Sequence, residues 1–456
     1  MVPFLSAITL LIFAVSARTT DTIKKYSLQD ILSIANKRGS RIEIIQARTD
    51  ADLQQVEIYK AEAYPNIDFS TSVGYANQSL LGRPFESSSF IDRIDGFLFS
   101  WTFSLQQPLF KFGQIINSFK LASLSKKIAQ NSSDLQRDNY FLEVINQFIQ
   151  AYTGQFDYII ATQSLSRSER IYQRTLLDYE TGRVSNRELL RTQASLEGDR
   201  ALLVSSSGNR ALSIRKLNVL IGLDDTADYL LVLDTSGSFL QIPSRPDREN
   251  LQIVLKRLEA DFNTYLRKNA WSSFFPSLNL FGSIFNEFMA VDTSGLAEMF
   301  LLEPQAGEAV PEIPVSTDFF NPDLINYSIG IELSWNIFDG KRSFAQYRQA
   351  KRQEKATFLE LEQLERENRN EIQEIKNQIT VADNSIEAYR LQFEASQKAL
   401  LQADTDFQDG FIDAISYLEI EQEYRNAALN LDNQRLRRLL LQAQLRVALG
   451  LRIFGD

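Results

Sequence analysis

The stretch Phe97–Phe110, FLFSWTFSLQQPLF, governs how the rest of the chain is read. Phe97, Phe99, Trp101, Phe103, Leu105 and Leu109 take its odd positions. Ser100, Thr102, Ser104 and Gln106 take the even ones, with Leu98 the main exception. Side chains of a strand alternate between faces, so the segment predicts a strand with one aromatic face and one small polar face. The pattern recurs along the chain. Ile67, Phe69, Val73 and Tyr75 oppose Asp68, Ser70, Ser72 and Gln78. Tyr327, Ile329, Ile331, Leu333, Trp335 and Ile337 oppose Asn326, Ser328, Glu332, Ser334 and Asn336. From Leu278 to Phe288 it is less regular: Leu278, Leu280 and Ile284 oppose Asn279, Ser283 and Glu287, but Phe281 and Phe285 fall on the polar side. Each segment supplies the ~9–11 residues that a transmembrane strand requires.

Composition narrows the chemistry. The chain has 456 residues, 44% of them hydrophobic, and a net charge of −10. That charge argues against nucleic acid as a partner, because phosphate binding needs a basic surface. There is no Cys and no His, which removes disulfides, thiol nucleophiles, His acid–base work and the usual zinc sets. No metal, cofactor or catalytic residue is expected, and the reading is of a protein that is not an enzyme. The opening MVPFLSAITLLIFAVSA ends in a small-residue cleavage pattern and is short for a membrane span, so residues 1–17 read as a signal peptide.

Residues from Tyr179, YETGRVSNRELL onward, align without a gap with those from Phe407, FQDGFIDAISYL onward, at a shift of about 228 positions. Gly182 meets Gly410, and Gly222-Leu223 meets Gly450-Leu451. The chain therefore reads as a tandem duplication, 18–238 and 239–456, each half ordered helix, strand, strand, long helix, helix. The strands are expected at about 66–78 and 97–109, then 277–289 and 325–337. Helices cannot carry interior proline, and the long proline-free spans after Pro108 and Pro322 are where helical hairpins fit, at about 112–222 and 340–450. Ile372, Ile375, Ile379, Ala382, Ile386, Tyr389, Phe393, Ser396, Leu400, Ala403 and Phe407 recur at alternating spacings of three and four, a coiled-coil heptad. A helix from about Gly340 to Gln408 would run on the order of 100 Å. Gly182 and Gly410 mark the hairpin turns. Asp224 to Arg245 is left as a short strand or loop.

Four isolated strands among coiled-coil helices make a poor soluble sandwich. As membrane strands they cannot close a barrel alone, since open edges in lipid leave backbone groups unpaired and the smallest ordinary barrels have ~8 strands. Several subunits must then pool their strands. The acidic, proline-containing stretch Ala290 to Leu324 would join the last two strands on the outer face.

The sequence here resembles the outer membrane efflux protein (TolC-like) family. The likeness rests on YPNIDF and FFPSLNL at strand starts, QQPLFKFG and SWNIFDGKR at strand exits, the two turns quoted above, and the ends LNVLIGL and LRVALGL, spanning about Ser27 to Leu451. The resemblance implies a mixed α/β membrane protein and a homotrimer. Its 12-stranded outer-membrane β-barrel would be continuous with a 12-helix coiled-coil periplasmic tunnel. It would be an exit duct of a tripartite efflux pump or type I secretion system, a passive conduit working with a periplasmic adaptor (membrane fusion) protein and an inner-membrane pump. By the same resemblance, Gly182, Arg183, Val184 and Ser185 with Gly410, Phe411, Ile412 and Asp413 would form adaptor-docking and gate tips. Asp404, Asp406 and Asp409 would supply an acidic aperture ring. Phe69, Val73, Phe99, Trp101, Phe103, Ile329, Ile331 and Trp335 would face outer-membrane lipid. The alternative, an exported coiled-coil scaffold or adhesin without a pore, explains the heptads but not the four amphipathic strands. A periplasmic adaptor would need lipoyl-like and small-barrel segments that are not found, and no pair of acids stands out as a glycosidase would require.

Overall fold

A computed structural model describes residues 24–78, 94–233, 249–291 and 325–454. The signal-peptide expectation for 1–17, the stretch 292–324 and the proposed boundary near residue 238 lie outside them.

By contact density the chain divides into two units, each drawing on both halves of the sequence. One combines Asp52–Lys127 with Leu258–Phe358 and contains the sheet. Its strands are β2 (Asn66–Gln78), β3 (Ile94–Phe110), β5 (Ser277–Val291) and β6 (Asn326–Ser334), all antiparallel, in the order β2-β3-β5-β6. The outer pairs are the two hairpins that chain order predicts, and β3 against β5 joins them. The last strand is shorter than the expected 325–337. Ser277, the first residue of β5, is already paired with Ser334, so Trp335 and Ile337 have no ladder left to join. In the same unit Arg267 Nε donates to Glu354 at 2.7 Å, and the Phe112 and Phe275 rings stack at 4.6 Å.

The other unit combines Met1–Ala51, Ile128–Arg257 and Leu359–Asp456. Strand β1 (Lys25–Ser27) pairs in parallel with β4 (Leu230–Val232), which gives the 224–245 stretch its short strand. Helix α1 (Leu28–Arg38) starts on a capping box. The Asp30 N–H donates to Ser27 Oγ at 3.2 Å, and the Ser27 N–H to Asp30 Oδ2 at 2.9 Å. Gln155, buried, completes the β4 edge. Its side-chain NH₂ donates to the Leu231 carbonyl at 2.9 Å, and its carbonyl oxygen accepts from the Leu231 N–H at 2.8 Å. Around this pair Ile31, Leu32, Tyr140, Val144, Phe148, Leu217, Ile221 and Leu231 form a dense core that also takes in Ala443 and Ile453.

The remaining helices are α2 (Ser40–Ala61), α3 (Gln114–Glu180), α4 (Asn186–Ile221), α5 (Leu251–Ser272), α6 (Arg342–Asp409) and α7 (Ala414–Ala448). Helices α3 and α6 are 67 and 68 residues long and occupy the proline-free spans. Every heptad position named on α6 is buried or half-buried. Ile375 and Ala382 pack against Leu441, Leu445 and Ala448 of α7. Among the described residues, no helix is long and apolar enough to cross a membrane.

Candidate functional site

Two places carry the chemistry, the faces of the sheet and the turns of the helical hairpins. The sheet's register sorts its side chains into cross-strand rows. Phe69, Phe103, Ile284 and Tyr327 form one row, and Ile67, Leu105, Gly282 and Ile329 the next. Val73 stands opposite Phe99, Thr71 opposite Trp101, and Leu280 opposite Ile331. The Phe69 and Phe103 rings lie 4.6 Å apart, and Trp101 meets Phe103 edge-on at 6.1 Å. This face is open: Val73 is 73% exposed, Ile329 75% and Ile331 64%. A contiguous apolar surface of that kind requires a non-aqueous neighbour. Phe99 and Trp101, flanked on both sides, are half-buried. Trp335 lies just past β6, where its indole N–H donates to the Phe274 carbonyl at 3.1 Å.

The opposite face is hydroxylic. Ser72 and Ser100 hydroxyls meet at 2.8 Å, and those of Ser283 and Ser328 at 2.7 Å. The four strands hold no Lys or Arg, so their fixed charge is entirely acidic. Among the described residues, β2 and β6 each pair along one side only, so the sheet has two open edges.

The two hairpin turns share one geometry. After α3, Gly182 takes φ +73°, and the Arg183 N–H donates back to the Asp178 carbonyl at 2.7 Å. After α6, Gly410 takes φ +81°, and the Phe411 N–H donates to the Asp406 carbonyl at 2.7 Å. These are glycine-terminated helix ends, in which a left-handed residue lets the chain reverse and satisfies a leftover carbonyl. Each return helix is then capped. Ser185 Oγ accepts from the Glu188 N–H at 3.3 Å, and Asp413 Oδ1 from the Ser416 N–H at 2.7 Å. The bonds from Ser416 hold the Asp413 carboxyl below its usual pKa. Val184 and Ile412 are half-buried, whereas Phe411 is 78% exposed and Arg183 reaches toward Asp178 at 3.5 Å.

The three candidate aperture acids are not brought together. At about 100° per residue, Asp404 and Asp406 point to opposite sides of α6. Asp404 accepts from the Tyr417 hydroxyl at 2.5 Å, and Asp406 from the Gln402 side chain at 2.8 Å; Asp409 is exposed. Burial, followed by the bond to Asp404, raises the Tyr417 phenol above its usual range. Tyr417 also packs in a small core with Ile171, Leu400, Ala403 and Ala414.

Further from the turns the structure holds a buried charge cluster that sequence reasoning missed. Arg425 contacts Asp199 at 3.1 Å and Glu421 at 3.8 Å, and Arg167 lies 3.4 Å from Glu421. Ser164 donates to Glu421 at 2.6 Å and Ser168 donates to Asp199. Asp199 and Glu421 are buried. Tyr417, Glu421 and Arg425 recur at four-residue spacing on one face of α7, the available sequence signal, but it reads equally as a solvated stripe.

These features define a TolC-like outer-membrane channel, and the comparisons with known proteins agree. The profile of the family described as "Outer membrane efflux protein" matches residues 32–223 and 249–451, and the chain belongs to that family. It is 24% identical over 366 residues to the alkaline protease secretion protein AprF of Pseudomonas aeruginosa, covering 76% of this chain and 69% of AprF. Its fold is similar to that of VceC of Vibrio cholerae (TM-score 0.73, 15% identity, 94% and 97% of the two chains). It also resembles the CmeC outer membrane channel of Campylobacter jejuni (TM-score 0.76, 15% identity, 94% and 87%). The protein is thus an outer-membrane exit duct of the kind that serves efflux or secretion systems and extends into the periplasm.

Proposed function

We propose that the chain works as one third of a homotrimeric duct, each subunit lending its four strands to a 12-stranded barrel and its hairpins to a 12-helix tunnel. One observation carries this: a four-stranded sheet with two open edges, one face apolar and exposed, the other hydroxylic. In lipid each unpaired edge group costs several kcal/mol, so the edges must be closed by sister subunits. The apolar face with Phe69, Val73, Phe99, Trp101, Phe103, Ile329 and Ile331 then meets lipid, with Trp335 at its margin, and the serine face lines water. The two segments matched by the family, 32–223 and 249–451, support reading the chain as two repeats; residues 1–17 are proposed as the export signal that precedes them.

The turns at Gly182–Ser185 and Gly410–Asp413 are the surfaces proposed to meet a periplasmic adaptor. Their equivalent geometry and the exposed Phe411 support this. Asp404, Asp406 and Asp409 are proposed to set the charge of the aperture; trimerisation would bring like charges together and favour cations. The name of AprF, a protease secretion protein, supports a protein cargo; we propose that an inner-membrane pump delivers it, as in type I secretion.

The test is reconstitution. Mature protein extracted from outer membranes should run as a heat-dissociable trimer and conduct ions in planar bilayers. Asp404→Ala with Asp406→Ala should reduce cation selectivity and block by divalent ions. A water-soluble monomer that ignores bilayers would sink the trimer reading, and unchanged selectivity would dismiss the aperture assignment alone.

A further inference from the structure

Besides Leu98, the polar side of the sheet carries aromatic exceptions, Phe281 and Phe285 of β5. Both share that face with Ser283, whose hydroxyl meets Ser328 at 2.7 Å. Phe281 stands between Gln106 and Gly330, and Phe285 between Thr102 and Asn326. The Phe281 ring lies over Gly330, about where a side chain would begin: a Cβ there would sit 3.0 Å from two ring carbons. Large apolar side chains on a hydrated wall are costly to leave in water, and they mark surfaces that receive an apolar group.

The charge around them selects what that group carries. Glu332 is exposed, pairs across the ladder with Asn279, and so lies diagonal to Phe281, about 7–8 Å away by strand geometry. Asp68 belongs to the row Asp68–Ser104–Ser283–Ser328, which passes between the two rings. The Asn66 side chain holds Asp68 with a 2.8 Å bond, and among the described residues Glu332 makes no ion pair. No cation on any of the four strands neutralises them. The rings are separated by about 13 Å along β5, with a hydroxyl step at Ser283 between them.

We propose that Phe281, Phe285, Glu332 and Asp68 form a binding patch on the duct wall for organic cations with an apolar body. The ring faces take the apolar part and attract the positive charge through their quadrupoles, and the carboxylates hold the charge near the wall. In the trimer the patch occurs three times around the lumen. The proposal rests on the reading that the serine face lines the duct.

Single-channel block separates the two claims. The full mature protein in a planar bilayer is exposed to tetrapentylammonium, and to tetramethylammonium as the small control. Wild-type channels should show longer blocks by the large cation. Phe285→Ser should shorten those blocks about tenfold and leave tetramethylammonium unchanged. Phe285→Leu, which keeps bulk but loses the ring, should fall between, and Glu332→Gln should shorten block by both ions. Wild-type dwell times in a trimeric, conducting Phe285→Ser channel would overturn the patch while leaving the duct intact. Absence of any conductance from the wild-type protein would overturn the duct reading and the patch with it.

Discussion

A carboxyl group buried among helices favours its protonated form, and Asp432 and Asp138 are in that position. Burial is the main cause for Asp432; Arg435 opposes it and Asp157 adds to it, leaving a pKa of about 6. Asp138 also rises to about 6 through burial, against the Ile453 N–H and the Arg452 charge, with Asp134 reinforcing the shift. Folded values above the unfolded ones mean that each contribution is fully present below about pH 4 and is lost as pH rises through about 6. Asp432→Asn should therefore raise thermal stability at pH 8 by about 1–2 kcal/mol, the gain disappearing below about pH 4. Melting curves across that range check it; a constant gain at all pH values would refute the assignment. Gly222 makes a second prediction at this scale. It takes φ +74°, and a Cβ there would lie 2.1 Å from the Arg38 carbonyl oxygen. At Gly182 nothing lies within 4 Å, so Gly182→Ala should cost only the ~1 kcal/mol of a left-handed alanine. Gly222→Ala must also move backbone, and should lower the melting temperature clearly further.

At the scale of elements, the buried cluster joins helices α3, α4 and α7. Arg425→Met would leave Asp199 without its cation and Glu421 with Arg167 alone, and breaking a buried pair from one side costs about 3–5 kcal/mol. Denaturant unfolding measures it, and a loss below about 1 kcal/mol would show that water reaches the cluster. On the sheet, Trp101→Arg puts a cation on the apolar face proposed to meet lipid and should cost ~2–4 kcal/mol near the bilayer midplane, seen as reduced trimer yield. Normal yield would mean the faces are reversed. The elements were largely legible beforehand. The period of two in Tyr327–Leu333 and the three-four spacing from Ile372 to Phe407 are local signals, each set by whether a face is buried. The turns were legible through Gly182 and Gly410, whereas the caps at Ser185 and Asp413 were seen only in the structure. What escaped notice were contacts such as Tyr417 with Asp404, since a tyrosine on a coiled-coil face reads as packing and not as a donor.

At the scale of the whole molecule, the two sheet edges that are open among the described residues would leave backbone groups unpaired in a membrane unless sister subunits close them. Ile331→Asp on β6 combined with Val73→Asp on β2 should abolish the heat-dissociable trimer and the conductance together, because both the edges and the lipid face are damaged. Trimer without conductance would instead point to a plugged barrel. The sequence by itself determined the alternation, the heptads, the glycine turns and the acidic, cation-free strands, because each depends on residues a few positions apart. Only the tertiary structure decided that β3 lies beside β5, that Phe281 rests over Gly330 and that Arg425 reaches Asp199. Those meetings join residues distant in the chain, and they depend on loop closure and on which buried faces fit, which no local pattern encodes.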